Sequence, residues 1–287
     1  MMYQQLFIKA CKNGEFNTAK QLYQEHSEEI NIHARDEAAF LWSCFNGHFE
    51  IAKWLIQLGK EKGQPINIHA WDEDAFQWSC INGNFEISKW LIQLGKKEGQ
   101  PIDIHARDED AFQFTCEAGQ LEIAKWLIQL GKDECHPIDI HADDEIAFRW
   151  SCENGELEVA KWLVQLGREE ENSIDIHARD EDAFLWSCFN GHFDIAKWLI
   201  QLGKDEGHPI NIHTRDEIAF RRSYEYAHLE IAKWLIRMGG NVTTTHGLYS
   251  YQQSHIRKYY KNHRIHNKFN KHKLETVWNH CSRVDVK

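Results

Sequence analysis

No stretch of this chain is long and apolar enough to cross a bilayer, and its first residues, MMYQQLFIKACKNGEF, lack the apolar core of a secretory signal. Both absences point to an intracellular, cytoplasmic protein that is not secreted. A P-loop, an HExxH pair, a Gly-x-Ser-x-Gly elbow and a dinucleotide fingerprint are also missing. His, Cys, Asp and Glu are plentiful but spread evenly, whereas an active site is a singular cluster. The chain therefore reads as non-enzymatic, with no cofactor and no bound metal.

What the chain has is a period. Trp54, Trp90, Trp126, Trp162, Trp198 and Trp234 follow one another at intervals of 36 residues. The histidines His33, His69, His105, His141, His177 and His213 keep the same interval, as do six phenylalanines from Phe40 to Phe220. A repeat of this length signals stacked supersecondary units, each needing its neighbour to bury its apolar face. The expected division is an N-terminal capping unit over 1–32, six repeats over 33–240 (33–68, 69–104, 105–140, 141–176, 177–212 and 213–240), and a basic tail over 241–287.

Within 33–68, HARDEAAFLWSCFNGHFEIAKWLIQLGKEKGQPINI, Asp36 reads as the N-cap of a first helix and Glu37 as an acid favoured by the helix dipole. Ala39, Phe40, Ser43 and Cys44 carry that helix to about Asn46, and Gly47 ends it. A second helix begins near Phe49 with Ile51, Leu55 and Leu58 as its apolar stripe, supported by Trp54. Gly59 is expected to stop it, before a polar loop. Neither helix reaches the roughly 12–15 residues that would be stable alone.

The run GHFEIAKWLI (Gly47–Ile56) resembles the second helix of the ankyrin repeat, and DEAAFLWSC resembles the helix before it. The resemblance covers roughly Phe7 to Gly240. It implies an all-α, ankyrin-type helix-turn-helix solenoid of about seven stacked units, with a C-terminal helical and basic tail. It also implies a protein-interaction scaffold that binds a protein partner on a concave face. The sequence departs from the family in its period and in lacking the Thr-Pro-Leu-His tetrapeptide, for which AAFL, DAFQ and IAFR stand in. The tetratricopeptide repeat is the rival; it lacks the long polar connection and the repeated Asn-Gly. The wording FxWSCxNG and IAKWLIQLG is most similar to ankyrin-repeat proteins of large DNA viruses of amoebae, mimivirus-like, which would make the partner a host protein.

The repeated residues read as structural. The tryptophan column fits inter-repeat stacking, and the histidine column a polar ladder holding loop backbone groups. Histidines one repeat apart cannot converge on an ion. Cys44, Cys80, Cys116, Cys152 and Cys188 share one position, too far apart to bridge, and read as small buried apolar residues. Cys135, in a loop, reads as exposed.

The residues that vary between copies are the candidates for binding. Positions equivalent to Arg35, Ala38, Leu41, Phe45 and His48 share one helical face. A partner-binding groove is expected from Phe45, Trp71, Gln77, Ile81, Gln113, Glu117, Arg149, Glu153, Leu185 and Phe189. Several are apolar where solvation alone would favour polar residues. A monomer is expected.

The last unit breaks the pattern with Arg221, Arg222, Tyr224, Tyr226 and Ala227, and reads as a cap. From Asn241 onward the chain holds 9 Lys and Arg against 2 Asp and Glu, a net of +7; the preceding 240 residues hold 24 against 42, a net of −18. An acidic body argues against phosphate binding by the repeats. Three readings of the tail stand: a cover for the end of the array, zinc held among His263, His266, His272, His280 and Cys281, or a nucleic-acid or anionic-surface patch. The patch would use Arg257, Lys258, Lys261, Arg264, Lys268, Lys271 and Lys273, interleaved with Tyr259, Tyr260 and Phe269. Nucleic acid is expected only there.

Overall fold

The computed structural model describes residues 2–239. The tail residues from Arg257 to Lys273, and the readings that rest on them, lie outside the described residues. Among the described residues the chain is all helical, with no strand. The helices come in pairs: α1 (Met2–Asn13) and α2 (Phe16–His26), α3 (Ala34–Phe45) and α4 (Phe49–Glu61), α5 (Ala70–Ile81) and α6 (Phe85–Glu98), α7 (Ala106–Glu117) and α8 (Leu121–Asp133). They continue as α9 (Ala142–Asn154) and α10 (Leu157–Glu169), α11 (Ala178–Phe189) and α12 (Phe193–Asp205), α13 (Thr214–Glu225) and α14 (Leu229–Arg237). None among them is long and apolar enough to cross a membrane.

The chain divides into two compact units, Met1–Thr115 with Gln120–Asp139, and Cys116–Gly119 with Ile140–Lys287. In the first, α1 packs on α3 and α3 on α5; in the second, α9 packs on α11 and α11 on α13. Each unit's core is a repeated set. Phe40, Phe76 and Phe112 are fully buried in the first, with Leu55, Leu91 and Leu127; Phe148 and Phe184, with Leu163 and Leu199, are their counterparts in the second. Burying a side chain of this size contributes about 1.5–3 kcal/mol, and the repeat supplies it once per helix.

The start of each first helix differs from the expected cap. Asp36 makes no capping hydrogen bond; Arg35, Asp36 and Glu37 lie in the left-handed region at φ 57°, 50° and 69°. The same three-residue turn recurs at 71–73, 107–109, 143–145, 179–181 and 215–217. Left-handed backbone costs roughly 1–2 kcal/mol per non-glycine residue, so something must hold it. The buried Glu37 does: its Oε1 lies 2.9 Å from His33 Nδ1 and accepts the N–H of Asn67, in the next repeat, at 3.0 Å. Glu73 and Glu109 repeat this in the first unit, Glu145 and Glu181 in the second. The histidine column is thus a ladder of His–Glu pairs, and the glutamate, not the histidine, reaches the loop backbone. Asp36 itself is exposed, and the right-handed helix starts only after Glu37.

Gly59 also differs from expectation. It lies inside α4, buried, and the helix runs two residues further. A Cβ there would come within 2.7 Å of the Gln64 carbonyl oxygen, so glycine is needed where the returning loop crosses the helix. The loop then carries Ile66 and Ile68, both buried, with Asn67 exposed between them.

The tryptophan column does lie at the seam between repeats. Within the first unit, Trp54 meets Phe7 and Phe16, Trp90 meets Phe40 and Phe49, and Trp126 meets Phe76 and Phe85, at 5.2–6.4 Å between ring centroids. In the second, Trp198 meets Phe148, and Trp234 meets Phe184 and Phe193. These indoles are half-buried, wedged against the repeat before.

Candidate protein-docking face

The varying positions turn out to do different jobs. Gln77 and Gln113 are buried, at 2% and 3% exposure, and their amides donate to the carbonyls of Asp72 and Asp108 at 2.9 and 2.7 Å. Arg149 is buried too; its Nε donates to the Asp144 carbonyl at 2.7 Å and its Nη2 to that of Asp143 at 2.9 Å. These side chains satisfy carbonyls of the left-handed turn five or six residues upstream, whereas the same position holds buried Leu41 and Leu185 in other repeats. In the structure their role is to support the turn. Ile81 and Leu185 are also buried, at 6%.

The position of His48 has a similar duty. His48 Nε2 lies 3.0 Å from the Lys12 carbonyl, and Asn84 Nδ2 donates to the carbonyls of Cys44 and Phe45 at 2.9 and 2.8 Å. In the second unit, His192 hydrogen-bonds the backbone of Glu153 and His228 that of Phe189, and Asn190 Nδ2, two residues before His192, also donates to the Glu153 carbonyl at 2.8 Å. Each closes the open end of the first helix in the preceding repeat. Glu117 and Glu153 are half-buried; burial, then Asp182, raises the Glu153 carboxyl above its usual range.

Trp71 is 37% exposed and sits in the left-handed turn, where its carbonyl accepts from Arg107 Nη2. Arg107 also pairs with Asp74 at 3.0 Å. In the second unit Arg179 bonds Asp144 Oδ2 at 3.0 Å and Arg215 bonds Asp180 Oδ2 at 3.1 Å. Arginine ladders thus tie successive turns together within each unit.

The aromatics the structure does bring together come from a second tryptophan column, Trp42, Trp78, Trp150 and Trp186, with Phe114 and Arg222 in the same register. It was overlooked among the expected site residues, although the recurrence of Trp-Ser-Cys marks it. In the first unit Trp42 and Phe45 both pack edge-on against Trp78, at 5.9 and 5.1 Å, and Trp42 is 9% exposed. In the second, Arg222 stands where a tryptophan would continue the column. Its guanidinium turns to Glu225, Nη1 to Oε2 2.9 Å, and Trp186 is left 38% exposed. Trp186 packs on Phe189 at 5.0 Å, and Phe189 on Tyr226 at 4.3 Å.

These rings bound a cleft of about 210 Å³, completed by Leu185, Ile218 and the stems of Arg215 and Arg222. Arg215 is held by Asp182 at 2.9 Å as well as by Asp180. The two arginines of the lining are therefore paired, and the rest of the lining is aliphatic or aromatic. Small-molecule sites usually run from about 300 Å³ upward, so this cleft suits one inserted side chain better than a cofactor.

Four overlapping matches to the family model for ankyrin repeats in three copies cover residues 6–108, 76–180, 112–210 and 148–246. They span most of the chain, which belongs to the ankyrin-repeat family. No curated protein matches the chain. Ankyrin repeats generally mediate protein–protein interaction.

Proposed function

We propose that this chain is a non-enzymatic interaction scaffold that docks a protein partner through the first-helix aromatics, with the Trp186–Phe189–Tyr226 cleft as its anchor site. The observation that carries the reading is the interruption of the second tryptophan column at Arg222, which uncovers Trp186 beside an apolar cleft of side-chain size. Interface energy concentrates in such aromatic pockets with paired charges around them. Phe45, with Trp42 and Trp78, and the exposed Trp71 are the accompanying surface in the first unit; Glu117 and Glu153 remain candidate polar contacts. The partner chemistry that fits is a protein segment presenting one aromatic or branched aliphatic side chain. The similarity of the repeat wording to amoebal-virus ankyrin proteins supports a host protein as that partner.

The test fills the cleft instead of emptying it. Arg222→Trp continues the column over Trp186, so it is expected to abolish capture of partners from cell extract while the thermal melt is kept or raised. Trp186→Ala should weaken the same captures at least tenfold. Retention of the full set of captured proteins by both variants would end the proposal.

A further inference from the structure

The last helix pair leaves an apolar edge uncovered among the described residues. In the earlier second helices, the positions equivalent to Ile236 are Ile56, Ile92, Ile128, Val164 and Ile200, all 5–7% exposed; Ile236 is 39% exposed. Leu229, on the same face of α14 two turns earlier, is 47% exposed. Its counterparts Phe16, Phe49, Phe85 and Phe193 each lie under the tryptophan of the following repeat, at 5.2–5.7 Å. Thirty-six residues after Trp234 stands Asn270, so no tryptophan continues that register. Terminal units of repeat arrays need a polar outer face, and the Leu229–Ile236 edge of α14 is apolar.

We propose that residues 240–287 of the same chain cover the Leu229–Ile236 edge, using aromatic and aliphatic side chains outside the repeat register. The chain leaves α14 beside this edge: Gly239 follows the helix by two residues. Tethering then gives the segment an effective concentration of order millimolar, an advantage no separate partner has. The 48 residues that follow exceed the 36 of one repeat. They include Tyr259, Tyr260, Ile265, Phe269, Leu274 and Trp278, enough apolar surface to occupy the edge. Their charge also suits the task, since from Asn241 onward they carry a net +7 against −18 for the repeats. A second copy of the chain, docking through exposed Met2 and Leu6 of α1, is the competing occupant.

Photo-crosslinking in the full chain separates these occupants. With p-benzoylphenylalanine in place of Ile236, irradiation should give adducts within one chain that map to residues 240–287, in a yield independent of protein concentration. Adducts between two chains, adducts confined to residues 2–239, or no adduct would each overturn the proposal. A second measurement uses Leu229→Asp with Ile236→Asp in the full chain. Tryptic cleavage between Arg257 and Lys273 should accelerate about tenfold, as it would for a segment released from a docked state, while the repeats keep their helical circular dichroism. Cleavage at the unaltered rate would overturn the proposal as well.

Discussion

Glu73 carries more of the fold than its exposed neighbours suggest. Buried at 6%, it lies 2.8 Å from His69 Nδ1 and accepts the Asp103 N–H at 3.2 Å, so it joins one repeat's turn to the next repeat's loop. Glu73→Ala leaves that part-buried N–H and the His69 ring without their acceptor and is expected to destabilise by about 1–2 kcal/mol. Glu86→Ala removes only an exposed pair with Lys89 and should change stability by less than about 0.5 kcal/mol. Urea denaturation of both variants checks the contrast; equal midpoints would remove Glu73 from this role. A parallel contrast separates the tryptophans. Trp126→Ala opens the seam against Phe76 and Phe85 and is expected to lose about 3 kcal/mol, whereas Trp186→Ala, at an uncovered ring, should lose under about 1 kcal/mol.

These roles were unequally legible. Trp126 announced itself by recurrence. Glu73 did not, because an acid after Asp in a first turn reads naturally as helix-dipole compensation, and only the left-handed backbone turns it inward. The turn-supporting roles of Gln77 and Arg149 are hidden for the same reason: without that turn there are no carbonyls for them to hold, and variation reads as freedom to contact a partner.

At the scale of the element, the left-handed turn is where sequence reading failed, since nothing in Arg-Asp-Glu signals positive φ. Asp108, the middle residue of its turn, bears the strain while exposed, at φ 55°. Asp108→Gly relieves it at some expense in unfolded-state entropy, and should stabilise by about 0.5–1 kcal/mol. Asp108→Val should destabilise instead, and thermal melts of the pair decide.

The element that closes each preceding helix end gives a second prediction, this one dependent on pH. In the second unit the position of Asn84 is held by Glu156, His192 and His228. Burial raises the Glu156 carboxyl and lowers both imidazoles. A raised carboxyl contributes stability that is complete below its ordinary range and lost as pH rises through its folded value. A lowered imidazole contributes stability that is present above about pH 6.5 and lost as pH falls through the folded value. Glu156→Gln should therefore stabilise at pH 7, with the gain shrinking toward pH 4. His192→Gln should flatten the decline on the acid side of pH 6.5. Stability curves of the two variants that run parallel to the parent across this range would contradict both.

For the whole molecule, the cysteines provide a probe at almost every repeat. Cys11, Cys44, Cys80, Cys116, Cys152 and Cys188 are buried, and burial pushes the thiols of Cys11 and Cys80 up to about 12. Cys135 is exposed. A thiol reagent at pH 8 should modify Cys135 within seconds and the buried column only as repeats open. In mild urea Cys11 should react before Cys80 in the first unit, and Cys188 before Cys152 in the second, because repeats nearer an end have fewer neighbours. Simultaneous reaction within either unit, read by mass spectrometry, would indicate all-or-none opening there.

Periodicity made the helix pairs and their seams easy to read, but Arg222 belongs to no pattern. It behaves as a point defect in a one-dimensional crystal: the host lattice supplies rigidity, and the local property arises where the lattice is broken. Such a defect is vulnerable to its own surroundings. A recombination event that overwrote 213–240 with a tryptophan-bearing inner repeat would continue the column at that position and keep the packing of the array. It would also heal the cleft away, so a sound fold without the proposed anchor is the failure this architecture is most exposed to.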